Sequence, residues 1–173
     1  MKIGLYIGRF QPFHNGHKLV VDTMLAEVDT AVVCIGLSEG AEKNPYDYHT
    51  RLHFLTHLYP NIPHIHFFPL ADLESDTDWI KSILELPYIG NSGGLIVYCG
   101  DRKNDSALQV IEVHQDMFEG IELNIREISR DTIPVSGTEV RKDILAGNFD
   151  RANAKIPVEV SEILKNGVPR IDF

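Results

Sequence analysis

Two histidines three residues apart, His14 and His17, stand in the stretch GRFQPFHNGH, which also holds Arg9 and Gly16 and runs straight into Lys18. Imidazoles at that spacing across a loop–helix boundary can aim at one group, and the neighbouring cations make that group an anion. One histidine alone is ordinarily a satisfied surface or core residue. Two of them with an arginine and a glycine at a single turn point to a site. A second polar cluster lies far downstream in VSGTEVR, Val135 to Arg141. Ser136 or Thr138 caps a helix there, its first turn offers hydroxyls and free N–H groups, and Arg141 follows one turn on. The plain reading is a capped helix; the functional one is a second anion cradle. His49, His53 and His57 recur every four residues on an expected helix, but no carboxylate or cysteine motif completes a ligand set. No metal site is assigned to them.

The elements that must position these residues follow from periodicity. Residues 2–7, KIGLYI, read as a strand, and Val20, Val21, Met24, Leu25 and Val28 trace a helix face starting near Gly16. Pro12 marks the loop between them. TAVVCIGL (30–37) is a continuous apolar run, the pattern of a strand buried on both faces. SEGAEKNPYDY is a polar loop, and helix period returns from Asp47 to Tyr59 with Leu52, Leu55 and Leu58 inward. HIHFFPL (64–70) is a third strand, Trp79 to Leu86 a short helix, GLIVYC (94–99) a fourth strand and ELNIREI (122–128) a fifth. The stretch 104–118 leans towards helix, and residues 136–166 belong to C-terminal helices ending their first member at Gly147. Strands alternating with helices imply an α/β protein with a doubly wound parallel sheet of about five strands and helices on both faces. The expectation is one domain over 1–173. In such sheets ligands bind beyond the carboxyl ends of the strands, where each motif falls.

Composition narrows the function. A net charge of −9, from 16 basic and 25 acidic residues, argues against nucleic acid and anionic membrane as partners. An acidic chain that handles phosphates must gather its few cations locally. No apolar run approaches the ~20 residues of a membrane span, and no signal-peptide pattern precedes the first strand. Cys34 and Cys99 sit in apolar runs and read as buried free thiols of a reduced, cytoplasmic compartment. No P-loop or GxGxxG competes as a phosphate-binding solution.

At GRFQPFHNGH the chain resembles the HxGH nucleotidyltransferases, with His14, Gly16 and His17 as the HxGH itself. The GRFQPFH form is similar to nicotinamide-nucleotide (NMN) adenylyltransferases of the archaeal type and their Nudix-fused relatives. It departs from the G-x-F-D-P-x-H of phosphopantetheine adenylyltransferases at Gln11. Ser136, Thr138 and Arg141 resemble the family's S-x-T-x-x-R signature, and NPYDYHTR (44–51) its N-P-F-x-x-x-x-R segment. GDRKNDSA (100–107) is similar to a G-H-K-K-D-E-S segment, with Asp101 in place of His, which weakens any inference about adenine recognition there.

The resemblance implies a Rossmann-like nucleotidyltransferase fold and the transfer of AMP from ATP to NMN, giving NAD and pyrophosphate, with Mg²⁺ accompanying ATP. It implies His14, His17 and Arg141 as catalytic residues. Gly8, Arg9, Phe10, Gly16, Lys18, Arg51, Ser136, Gly137 and Thr138 then lie against ATP and its phosphates. Asp72 and Trp79 resemble the pair that recognises nicotinamide, a role suited to an aromatic face opposite a cationic pyridinium; a core role for Trp79 stays equally open. Another phosphate-bearing acceptor, such as a flavin or phosphopantetheine precursor, and a non-catalytic nucleotide-sensing module remain as alternatives. Length and acidic charge exclude a class I tRNA synthetase. A homo-oligomer is left open.

Overall fold

The first strand decides the architecture, because its residues alternate between two apolar layers. In the computed structural model β1 (Ile3–Gly8) sends Ile3 and Leu5 to one side and Tyr6 to the other, all buried. The structure describes residues 1–38, 40, 42–129, 131 and 133–166. Glu39 and Ala41 of the expected polar loop, and residues 167–173 of the expected domain, lie outside the described residues. β2 (Thr30–Gly36) is buried at every position, as its unbroken apolar run requires. β3 (Ile65–Leu70), β4 (Gly94–Cys99) and β5 (Glu122–Glu127) complete a five-stranded, wholly parallel sheet of order β3-β2-β1-β4-β5. β5 is an edge strand and alternates as expected, with Leu123 and Ile125 inward and Glu122, Asn124 and Arg126 outward.

Helices cover both faces. α1 (Asn15–Glu27) and α2 (Tyr48–Leu58) pack on one side around Val20, Met24, Phe54 and Leu55. α3 (Asp76–Leu84) and α4 (Ser106–Val113) pack on the other around Ile80, Ile83, Leu108 and Ile111. The C-terminal α5 (Gly137–Leu145), α6 (Phe149–Asn153) and α7 (Val158–Lys165) join the first layer through Val140, Ala152 and Val160. α5 ends as expected, with Gly147 in the left-handed region at φ 74°.

Two expectations change in detail. The ambiguous stretch 104–118 divides into α4 and a short 3₁₀ turn over Gln115–Met117. Trp79 does not open its helix: α3 begins at Asp76, because the Ser75 side chain accepts the Asp78 N–H at 3.3 Å. Asp76 and Asp78 then sit at the positive end of the helix dipole. Apolar periodicity does not register that polar first turn. α3 is held to the sheet mainly by Ile80 and Ile83, both fully buried. Ile80→Ala should therefore destabilise the fold by about 2–5 kcal/mol in urea titration. A loss below ~1 kcal/mol would mean that α3 is not anchored there.

Candidate active site

β1 turns into α1 through a loop whose packing leaves little freedom. Phe10 adopts a left-handed φ of 51°, and its ring folds back over Gly8. A Cβ on Gly8 would stand 2.5 Å from that ring, so any other residue here would displace Phe10. His14 is the N-cap of α1. Its Nδ1 accepts the His17 N–H at 3.3 Å, while His17 Nδ1 accepts the His14 N–H at 3.2 Å. The two imidazoles stack at 3.5 Å between centroids. An Nδ1 that accepts a hydrogen bond carries no proton, so each ring presents Nε2 as its N–H donor. Phe10 packs edge-on against His17 at 5.0 Å and Phe13 adds a tilted contact at 5.4 Å, which fixes the ring plane.

His17 faces a cleft of about 510 Å³ at the carboxyl ends of the strands. Gly8 at the end of β1 and Arg9 after it, Gly36 of β2, Leu70 of β3 and Gly100 after β4 form its floor. β1 lies between β2 and β4, so strand order reverses there, and the cleft occupies the switch point. Asp72, Leu73, Asp76 and Trp79 make one wall; Asp101, Asn104, Asp105 and Ser106 make the other. The first strand's motif and the Asp72–Trp79 segment thus meet in one space. Trp79 is half-buried, with one edge on the α3 layer and one on the cleft. The Ser38 hydroxyl donates to the Asp72 carboxylate. Asp101 is engaged in its own turn, accepting the Asn104 side-chain amide at 2.8 Å, and Asp105 caps α4 through the Leu108 N–H at 3.0 Å. Cys99, at the end of β4, offers no nucleophile at neutral pH: burial, with Asp105 and Glu127 nearby, pushes its thiol up to about 11.

The second cluster stands beside the first. Ser136 caps α5 in a reciprocal box with Glu139, its Oγ accepting the Glu139 N–H at 3.3 Å. It borders an open hollow of about 960 Å³ that adjoins the cleft through Gly100 and Asp101. Arg141 reaches across to the first motif. Its Nη1 donates to the Gln11 carbonyl at 2.6 Å and its Nη2 to Thr138 Oγ1 at 3.2 Å. Burial holds the Arg141 guanidinium below its ordinary pKa. Gly137 has the Gln11 carbonyl oxygen 3.0 Å from where a Cβ would be, so α5 starts against that loop.

Three expected phosphate-side groups lie elsewhere. Lys18 turns away along α1 to Asp22, at 2.5 Å. Arg51 is fully buried beneath the floor, where Nε donates to the Asp47 carbonyl at 3.1 Å and Nη1 to the Arg9 and Gly36 carbonyls at 2.9 and 2.5 Å. It shapes the cleft from below rather than lining it. Gly16 is buried in the first turn of α1 and does not line the cleft. His14 itself is 2% exposed, so His17 is the ring that meets the cleft and His14 orients it.

Sequence reasoning missed three residues. Gln11 is buried and pairs with Tyr46, its Nε2 donating to the carbonyl at 2.8 Å and its Oε1 accepting the N–H at 2.9 Å. A lone amide among Phe10, Pro12 and Phe13 was the available signal. Asn15 donates from its backbone to the Lys155 carbonyl at 3.0 Å and from its side chain to Ala154, and nothing local announces so distant a partner. Asp76 was hidden by the late start assigned to α3.

Known proteins resemble this chain in sequence and in fold. The cytidylyltransferase-like family profile matches residues 5–143. The nicotinamide-nucleotide adenylyltransferase of Halobacterium salinarum is 29% identical over 143 residues, covering 76% of this chain and 78% of that one. That of Methanosarcina barkeri is 28% identical over 177 residues, covering 99% and 93%. Among solved structures, a bifunctional NMN adenylyltransferase/ADP ribose pyrophosphatase from Francisella tularensis superposes with a TM-score of 0.67 at 19% identity, covering 84% of this chain and 42% of that one. That likeness is one of fold, and this chain spans less than half of the Francisella protein. Because the family match runs from inside β1 to inside α5, through both halves of the site, the chain belongs to the cytidylyltransferase-like family.

Proposed function

We propose that this protein is a nicotinamide-nucleotide adenylyltransferase, joining NMN to the AMP portion of ATP to give NAD and pyrophosphate. One observation carries the reading: the cleft at the switch point brings Arg9 and His17 into the same space as Asp72 and Trp79. Two relatives that align over most of the chain bear that name.

The reaction needs no enzymic nucleophile. A phosphate oxygen of NMN attacks the α-phosphorus of ATP in line, a new P–O bond forms, and the bond to the β-phosphate oxygen breaks as pyrophosphate leaves. The attacking phosphate is already ionised, so no proton has to be removed from it. The protein's work is positioning and charge stabilisation. In this reading His17 donates Nε2–H to the reacting phosphates, with its ring held by His14 and Phe10. Arg9 meets charge at the floor, and Ser136, Thr138, Arg141 and the α5 N-terminus hold the rest of the triphosphate. ATP brings Mg²⁺ as part of the substrate, bound through phosphate oxygens and water.

The acceptor end is read from charge. Asp72 can take the carboxamide N–H of nicotinamide and repels the carboxylate of nicotinate mononucleotide, while Trp79 faces the cationic ring. Incubation with ATP, Mg²⁺ and a panel of phosphate acceptors tests the assignment directly. NAD formed from NMN is the expected product, and turnover with a flavin or phosphopantetheine precursor alone would replace the reading.

Three variants test the parts. His17→Ala should lower kcat by about 10²–10³, the range for losing one preorganised donor, with the fold retained; near-normal kcat would remove His17 from the chemistry. Arg141→Lys keeps the charge but loses the planar fork, and should raise KM for ATP more than for NMN. An unchanged ATP titration would leave Arg141 as a structural residue only. Trp79→Ala should raise KM for NMN by about 3–30-fold, the span for losing a cation–π contact. If the melting temperature falls steeply while KM for NMN stays put, Trp79 belongs to the core alone.

A further inference from the structure

We infer that Gln11 is a positioning residue that sets Arg141, and through it nucleotide binding, by joining three separate segments at one residue. The inference rests on the proposed role of Arg141 in holding the triphosphate. Gln11 is 4% exposed, and its amide makes both hydrogen bonds that a paired strand residue would make with Tyr46. That pairing fixes the residue's orientation, so its own carbonyl points at α5. There it accepts Arg141 Nη1 at 2.6 Å and stands 3.0 Å from the site of a Gly137 Cβ. With Nη1 tied to Gln11 and Nη2 to Thr138, the guanidinium plane has one setting relative to the β1–α1 loop. Gln11 does not line the cleft, so it acts through Arg141 rather than on a ligand.

The chemistry at position 11 is exacting, because Tyr46 presents one donor and one acceptor. A primary amide satisfies both, a thioether neither, and a carboxylate only the N–H, while its charge opposes the Tyr46 carbonyl. A protonated carboxyl restores both bonds. Gln11→Glu should therefore behave like wild type at low pH and lose that behaviour as pH rises.

Binding of Mg²⁺ with the non-hydrolysable analogue AMP-PNP and, separately, of NMN is measured by calorimetry well below each variant's melting temperature. Gln11→Met should weaken AMP-PNP about tenfold, the scale of losing a buried hydrogen-bonded pair, and leave NMN within about twofold. In a cycle with Arg141→Lys, the double variant should bind AMP-PNP no worse than the weaker single variant. In Gln11→Glu burial raises the new carboxyl, so AMP-PNP affinity relative to wild type at the same pH should be near one at pH 5 and about tenfold lower at pH 8; it carries the test if Gln11→Met does not fold. Equal weakening of both ligands, additive losses in the cycle, or a Gln11→Glu profile parallel to wild type would each overturn the inference. A wild-type protein that binds NMN but no AMP-PNP would overturn the nucleotide role of Arg141 and this inference with it.

Discussion

The cleft depends on a buried guanidinium. Arg51 lies beneath the ends of β1 and β2 with no exposed surface, and its N–H groups hold the carbonyls of Arg9, Gly36 and Asp47. A buried cation survives only where oriented dipoles replace its lost water, and three carbonyls from separate segments do so here. Those carbonyls are the termini from which the site is built. Arg9 carries the floor's cation, Gly36 leads to Ser38 and so to Asp72, and Asp47 caps α2. Move the guanidinium and all three shift together.

Above that clamp, an acidic protein has arranged a site for anions with few cations. The cleft has four carboxylates in its walls, Asp72, Asp76, Asp101 and Asp105, and two of them are occupied in capping or closing a turn. Positive potential comes from Arg9, from the Nε2–H of His17, and from helix starts at the site. Carboxylates and cations thus line one and the same cleft, a charge pattern that a purely anionic ligand would not need.

Much of this was legible in the sequence, and the exceptions have common causes. The strands were readable because parallel strands buried on both faces must be apolar throughout, as β2 and β4 are. The two signatures were readable because capping and close approach restrict residue type: His14 and Ser136 both cap helices, and a Cβ on Gly8 or Gly137 would crowd its neighbours. What could not be read were long-range hydrogen bonds. Arg51 and Lys18 are both basic residues on helices, and only the fold decides that one goes beneath the floor while the other pairs with Asp22. The early start of α3 escaped because polar first turns carry no apolar period.

Asn15 shows what such long connections mean for the order in which the molecule becomes itself. It sits between the two histidines, yet its backbone N–H is received by Lys155, and Gln11, four residues earlier, receives Arg141. β1, meanwhile, takes its second neighbour from β4. The β1–α1 turn therefore takes its settled conformation only from partners far along the chain. Contacts this far apart along the chain slow folding, since loop closure comes before any contact can compensate for it. The turn that carries the site is thus completed only once both halves of the chain have met.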